Sequence, residues 1–484
     1  MKEISISEFR NNIKTYTENV QYEDIIVLNN GKPAIRVSNP NNKNVPIFKK
    51  PYVKEDILAI AKENNVEFIR LQFADIFGFI KSITLPYAKL EDVLNNGCMF
   101  DGSSISGFAR VEESDMRLVP DLDTFCILPF SENPGVVARI ICDVYTTEGK
   151  PFEGDPRYIL RKAIAHANEL GYGVDIGPEC EFFLFGLNED ESPNLKRLDS
   201  NSYFDIAPVD KGSLARRAIC IALNKMGFEV EASHHESAPC QHEIDFRYCE
   251  ALEAADKIMT CKMVIKAIAR ENNLHATFMP KPIYGVAGNG MHINLSLKDK
   301  KGKNAMGGNL EGGLSKEAHY FVGGLLDHAK GFCAITNPLI NSYKRLVSGY
   351  EAPTSITWAL KNRSPLIRVP HFEKGHARIE LRNPDPSCNP YLAFACVIEA
   401  GLDGIINKTK APKMLTESAY RKEDIASLPV DLSIALEELK KDECIMKTLG
   451  PTVSEVFIAF KEKEWSSYKT IVSSWEVENY LLKY

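Results

Sequence analysis

The chain has 484 residues, 44% of them apolar and 25% charged, so it can build two or three domains with a substantial core, and disorder is excluded as its default state. A net charge of −7 argues against a protein that mainly binds nucleic acid or an anionic membrane. No apolar run reads as a membrane span and Met1-Lys-Glu-Ile-Ser-Ile-Ser7 lacks the features of a signal peptide, so a cytoplasmic protein is expected. Its twelve cysteines, none at C-x-x-C spacing, read as reduced and mostly buried.

Residues 1–38 form a unit of their own. Ile4 and Ile6 predict a short strand, and Ser7 caps a helix with Phe9, Ile13, Tyr16 and Val20 on one stripe. Asp24 to Leu28 and Ala34 to Val37 flank Asn30-Gly31, a strong hairpin signal. The Ile6-Ser-Glu-Phe-Arg10 and Asn30-Gly-Lys-Pro-Ala34 stretches resemble the start of Phd/YefM-type antitoxins, a family that dimerises and binds operator DNA; the toxin-blocking segment of that family has no counterpart here. The alternative is a small accretion that pairs with copies of itself. Residues 39–51, rich in Asn, Lys and Pro, read as a linker.

From Tyr52 a helix carrying Ile57, Ile60 and Ala61 leads into a strand from Glu67 to Asp75, and a second strand runs from Phe79 to Leu85. An acid at a strand end, as Asp75 is, usually closes a turn. Met99-Phe-Asp-Gly-Ser-Ser-Ile105 reads as a substrate-facing loop, and the strand Val136 to Asp143 closes this smaller domain, residues 52–145. Asp155-Pro156 opens a helix that Gly171 ends, Glu250 to Asn273 forms a long one, and Ser315 to Asn337 reads as another, in a large domain spanning 150–484.

Four segments of that domain carry chemistry. After Pro239, Glu243, Asp245 and Arg247 alternate with Ile244 and Phe246, a period of two that gives a strand one charged face, with Glu236 and three imidazoles just before it. Glu179 and Glu181 share a face opposite Cys180, Phe182 and Leu184; His292, Asn294 and Ser296 follow the glycine turn Gly288-Asn-Gly290; Arg378, Glu380 and Arg382 share a face opposite Ile379 and Leu381. Buried carboxylates need a cation, and five glutamates with one histidine suit Mg²⁺ or Mn²⁺ better than zinc. Two ions fit that ligand count, which points to phosphoryl transfer from a nucleoside triphosphate. A solvated strand edge is the alternative for any one segment. Arg345, Arg363, Arg368 and Arg382 are the guanidinium groups expected to meet phosphate and carboxylate oxygens, with Gly349 as a hinge in the polar loop before Glu351.

These motifs resemble type I glutamine synthetases: Glu179-Cys-Glu-Phe-Phe183, His234-His-Glu-Ser-Ala-Pro-Cys-Gln-His-Glu243, Gly290-Met-His292, Lys344-Arg-Leu-Val-Ser-Gly-Tyr-Glu-Ala-Pro353, Asn383-Pro-Asp-Pro-Ser-Cys-Asn-Pro-Tyr-Leu392, the Met99 to Ile105 stretch and Trp475-Glu-Val-Glu-Asn-Tyr480. The resemblance runs in order from about residue 52 to 484. It implies an α+β chain in which a small β-grasp-like domain precedes a large α/β catalytic domain, here behind the Phd/YefM-like αβ head. It further implies ATP-dependent joining of ammonium to glutamate through a γ-glutamyl phosphate. The assembly implied is a dodecamer of two hexameric rings, each site shared between neighbouring subunits.

Carried over by motif, Glu181, Glu236 and Glu243 hold one metal and Glu179, His292 and Glu380 the other. Gly288, His292, Arg345, Glu351 and Arg382 serve glutamate, while Arg363 and Arg368 meet the phosphates of ATP, Arg363 also acting in catalysis. Glu351 lies on a flap that keeps water from the acyl phosphate, and Asp75 of the partner subunit takes a proton from ammonium. The sequence departs from the family pattern at Ala287, usually asparagine, Cys240, usually glycine, Asn289, usually serine, and Ser348, usually proline. Met414 to Leu428 lacks the tyrosine loop that some members adenylylate. Two other readings compete: a γ-glutamyl ligase acting on an organic amine, and a non-catalytic glutamine sensor whose head binds DNA.

Overall fold

A computed structural model describes residues 2–5, 25–29, 32–37, 51–105, 115–130, 135–200, 202–373, 375–416, 418–419 and 425–484. At the amino end, β1 (Lys2–Ser5) pairs in parallel with β2 (Ile25–Asn29), which pairs antiparallel with β3 (Lys32–Val37) across the expected Asn30-Gly31 position. The helix expected from Ser7 and the linker to residue 50 lie outside the described residues.

The small domain packs the helix Lys54–Glu63, through Ile57, Ile60 and Ala61, on a sheet of β4 (Val66–Ala74), β5 (Ile80–Pro86), β6 (Cys98–Asp101), β7 (Asp115–Pro120), β8 (Cys126–Ile127) and β9 (Val136–Thr146). Its order is β5-β4-β9-β7-β6, with β4 and β9 parallel and β8 on the side of β9. Leu71, Leu118 and Ile140 are fully buried in its core.

The large domain is built on the fifteen-residue strand β10 (Gly173–Leu187). Around it come β11 (Pro193–Asn194), β12 (Val230–His235), β13 (Gln241–Phe246), β14 (Cys249–Glu250), β15 (Leu274–Thr277), β16 (Ile293–Lys298), β17 (Ser355–Leu360), β18 (Pro365–Val369) and β19 (Ile379–Leu381). The main path is β12-β13-β10-β16-β19-β18-β17. The apolar face of this sheet is covered by helices Ser213–Lys225, Ala251–Glu271 and Pro390–Asn407, so alternate residues of each strand are forced to the other, polar face.

Two sequence expectations change here. Pro390–Asn407 is long and apolar enough to cross a membrane by length and composition, contrary to the sequence reading, yet most of it is buried inside the domain. The helix expected over 315–337 is two, Lys316–Asp327 and Ala329–Thr336, meeting at His328. There Nδ1 and Nε2 of His328 face Asp442 at 2.9 Å and Asp403 at 3.2 Å. Burial lowers the imidazole pKa, but the two carboxylates outweigh it and raise it to about 9.

The two domains meet at a charge network. Arg157 grips Asp256 with Nε at 3.0 Å and Nη2 at 2.8 Å, and reaches Asp143 at 2.5 Å and Asp121 at 2.7 Å. Arg161 supports the same two small-domain acids, and Tyr391 donates to Asp256 at 2.7 Å. Asp155 caps the helix Pro156–Glu169, as expected, by accepting from Arg157 N.

Candidate active site

Strand register assembles the site. On β10, Glu181 stands opposite Glu243 of β13 and Glu179 opposite Asp245. His234 of β12 stands opposite Glu243 in turn, and Glu236 sits in the turn that joins the two strands. On the other side, Glu179 N donates to the carbonyl of His292 at 3.0 Å, and Glu380 of β19 stands opposite Asn294 of β16. The alternate residues Cys180, Phe182, Ile244, Ile293, Ile379 and Leu381 are buried in the core. That burial fixes which face the acids occupy.

The result is a cavity of about 170 Å³ whose wall includes Glu179, Glu181, Glu236, Glu243, His292 and Glu380. Gly288, Arg345, Glu351, Arg363, Arg368 and Arg382 line the same cavity. Asp75, singled out in the sequence as a site residue, lies elsewhere in this chain. Its Oδ1 accepts from Phe77 N at 3.0 Å and Phe79 N at 2.9 Å, closing the turn after β4, and Oδ2 pairs with Lys81 at 3.3 Å. The Met99 to Ile105 stretch is strand β6 and a turn of the small domain and does not line this cavity.

Ligand atoms converge in two groups, Glu179 with His292 and Glu380, and Glu236 with Glu243 and His234. The first is the grouping the resemblance implies. In the second, His234 stands where Glu181 was expected, because Glu181 Oε2 accepts from Gly290 N and Gln241 Nε2, each at 2.8 Å.

The two groups differ in charge balance. Glu380 is held by Arg368 and Arg382, and Glu179 accepts from His292 Nδ1 at 2.7 Å and Asn294 at 2.8 Å. Burial pushes Glu179 up, but those hydrogen bonds outweigh it and hold its pKa near about 2. His292 is itself lowered, by burial and then by Arg382. In the other group Arg345 and the Gly290 N–H draw the Glu181 carboxyl down without offsetting the crowding. Burial and Glu236 push the Glu181 carboxyl well up; burial, Glu181 and Asp245 do the same to Glu243. Burial and Glu179 raise Asp245 to about 7, and its buried Oδ1 has no hydrogen-bond partner. Clustered, desolvated carboxylates whose crowding outweighs the nearby Arg345 are a donor set that fits a hard divalent ion.

The loop that carries Glu351 is strained where it meets the site. Glu351 has φ +60°, in the left-handed region, after Gly349 at +90°. Arg382 donates to the Glu351 carbonyl at 3.2 Å and Ser237 to its carboxylate at 3.4 Å. Arg345 is buried, its guanidinium donating to the carbonyls of Arg382, Asn383 and Pro384.

Sequence reasoning missed His234 as a cavity residue, and also Tyr203, Gln241 and Tyr350, all of which line the wall beside Ala287. Only His234 carried a signal, its alternation with Glu236. The other two imidazoles of that motif turn away: His242 meets Arg216 at 2.8 Å and His235 meets Asp199 at 3.4 Å.

The departures from the family pattern have structural settings. Cys240 sits at φ +65°, a conformation that suits the usual glycine, and its side chain packs with Phe183, Phe185 and Ala238 and against Ala287. Asn289 donates to Met279 O at 2.9 Å and accepts from Gln241, which fixes the amide that Gln241 turns toward Glu181.

An α+β fold in which antiparallel strands deliver paired carboxylates and guanidinium groups to one cavity defines a metal- and anion-binding enzyme site. The profile of the family "Glutamine synthetase, catalytic domain" matches residues 153–480 and that of "Glutamine synthetase, beta-Grasp domain" matches residues 65–147. The chain is similar to the glutamine synthetase of Clostridium saccharobutylicum, 53% identical over 441 residues covering 90% of this chain and 99% of that one. It is 52% identical to that of Staphylococcus aureus over 444 residues, covering 90% of this chain and all of the relative. Among solved structures it resembles a GmaS/ADP complex, with TM-score 0.81 and 33% identity over 88% of this chain and 99% of that one. It also resembles Plasmodium falciparum glutamine synthetase, with TM-score 0.79 and 27% identity over 89% of this chain and 99% of that one. The chain belongs to the glutamine synthetase family.

Proposed function

We propose that the chain joins ammonia to L-glutamate at the expense of ATP, giving L-glutamine through a γ-glutamyl phosphate. The observation that carries this reading is the convergence of six glutamates, His292 and four arginines on the wall of one cavity. Two divalent cations, Mg²⁺ or Mn²⁺, held by Glu181, Glu236 and Glu243 and by Glu179, His292 and Glu380, supply charge neutralisation for the phosphates. His234 joins the first set, since its ring nitrogens lie 3.6 Å from Glu236 and 3.4 Å from Glu243.

The protein's own groups then act in order. Arg345, Arg382 and the backbone at Gly288 hold glutamate so that its γ-carboxylate oxygen attacks the γ-phosphorus of ATP and ADP leaves. Arg363 and Arg368 receive the phosphate oxygens. Glu351 closes over the acyl phosphate and excludes water. Asp75 of the partner subunit accepts a proton from ammonium, and the resulting ammonia adds to the acyl carbon as phosphate departs. This assignment makes the site complete only in a ring, as in a dodecamer of two hexameric rings working in the cytoplasm.

The domain plan that accompanies it is a head at 1–38, a linker at 39–51, a β-grasp domain at 52–145 and a catalytic domain at 150–484. The head is a Phd/YefM-like unit that binds DNA, with a self-pairing accretion as the alternative; the pairing of β2 with β3 fits the hairpin expected of it. DNA retention by the full chain at moderate salt, lost when residues 1–50 are deleted, tests it; equal retention by both forms removes it.

For the enzyme, an ADP-release assay with glutamate is run with ammonium and, separately, with polyamines. Turnover with ammonium and little with the amines is expected. Preference for an organic amine would move the chain to the other ligase class, and no turnover with any amine would favour the sensor.

A further inference from the structure

We infer that Lys281, which lies outside the cavity wall, is a positioning residue that ties the glycine turn of the substrate site to the flap. The inference rests on the ligase reading above.

Three elements meet on this side chain. Its ammonium donates to the carbonyl of Val286, one residue before Ala287 and Gly288 of the wall. The same ammonium lies 4.1 Å from the ring centroid of Tyr350, the flap residue adjoining Glu351, close enough for a cation–π attraction. Its main chain is clamped by Asn341, whose Oδ1 accepts from Lys281 N at 2.7 Å and whose Nδ2 donates to Lys281 O at 3.1 Å. Asn341 directly precedes the short helix Ser342–Arg345.

The turn itself has little freedom. Asn289 N donates to Pro280 O at 2.8 Å, cinching the loop at its base, and the Lys281 contact with Val286 cinches it a second time. A side chain at Gly288 would meet Pro280 O at 2.3 Å and the stems of Arg345 and Lys281 at 3.3 Å. The lysine stem is therefore packed directly behind the point where backbone faces the cavity. Moving Tyr350 away from the ammonium exposes that cation and loosens the turn; moving the turn withdraws the cation from the flap.

Coupling of this kind matters at one stage of the reaction. If the flap is not held while the acyl phosphate exists, water adds to the acyl carbon in place of ammonia, the carbon–oxygen bond to phosphate breaks, and glutamate and phosphate are returned with one proton released to solvent. ATP is then consumed without glutamine.

The test compares phosphate released with glutamine formed, on the full-length assembled enzyme. Lys281→Met keeps the stem and removes the charge. It is expected to raise the glutamate KM about fivefold, the range one partly exposed cation–π contact supports, and to lift the phosphate-to-glutamine ratio at least about twofold. Mn²⁺ affinity stays at the wild-type value, and Lys281→Arg restores coupling. Tyr350→Leu, which leaves the lysine in place, reproduces the uncoupling and decides the matter if Lys281→Met fails to fold. A ratio unchanged from wild type in the folded variants, or an equal fall in both products, overturns the inference. Wild-type enzyme that makes no glutamine would instead overturn the ligase reading.

Discussion

Two buried acid clusters in this molecule have opposite charge balance. Asp121, Asp143 and Asp256 converge at the domain junction on Arg157, with Arg161 beside it, so the protein supplies its own counter-charge. Glu181, Glu236, Glu243 and Asp245 converge in the cavity, where burial and mutual repulsion raise the carboxyls of Glu181, Glu243 and Asp245. The difference separates a structural network from a binding site. A cluster neutralised by its own guanidinium groups holds two domains together, whereas one left crowded despite the Arg345 guanidinium nearby suits a cation from outside.

Breaking the comparison at the cavity has the largest effect on activity. Glu236→Ala is expected to abolish glutamine formation in the ADP-release assay while sedimentation shows the assembly intact; near-normal turnover would remove Glu236 from the site. Breaking it at the junction has the largest effect on stability. Arg157→Met removes the guanidinium from buried Asp256 and leaves half-buried Asp121 and Asp143 with Arg161 alone, and should cost about 3 kcal/mol in urea unfolding. Glu243→Gln, measured with chelator present, removes a repelling charge and should leave stability equal or higher. A destabilised Glu243→Gln would show that the cavity cluster is balanced from within.

A smaller effect, with opposite signs at the two clusters, is expected in pH. Asp245 is raised to about 7 in the folded chain, so in chelator its contribution is complete below its ordinary pKa of 3.8 and is lost as pH climbs through about 7. Asp121 runs the other way. Burial pushes its carboxyl up, but Arg157 and Arg161 outweigh this and hold it below the ordinary value, so its contribution is lost on acidification. Thermal melts in chelator from pH 5 to 7.5 should therefore lose less stability in Asp245→Asn than in wild type. Identical slopes would discount the desolvation of that acid.

Much of the cavity was legible because period-two alternation decides which face each acid takes once one face is buried, and Cys180, Ile244 and Ile379 mark that buried face. What alternation cannot supply is register between strands distant in sequence. It could not show that His234 stands opposite Glu243, or that Gln241 captures Glu181. The break at His328 was hidden for a related reason: it accompanies ion pairs to Asp403 and Asp442, which are distant in the chain. Pro390–Asn407 passes for a span by length and composition, and only packing shows that it lies inside the domain. The Tyr350 contact with Lys281 joins two loops that have no periodic pattern at all.

The direct test of the account is the number of Mn²⁺ ions bound per chain after exhaustive chelation, measured by titration calorimetry on the full-length protein. Two ions are expected for the wild type, with one lost in Glu243→Gln and none lost in Arg161→Met, whose charge serves only the junction. A chain that binds no manganese, or a Glu243→Gln variant that binds as much as the wild type, would contradict the claim that the cavity carboxylates are arranged around external cations.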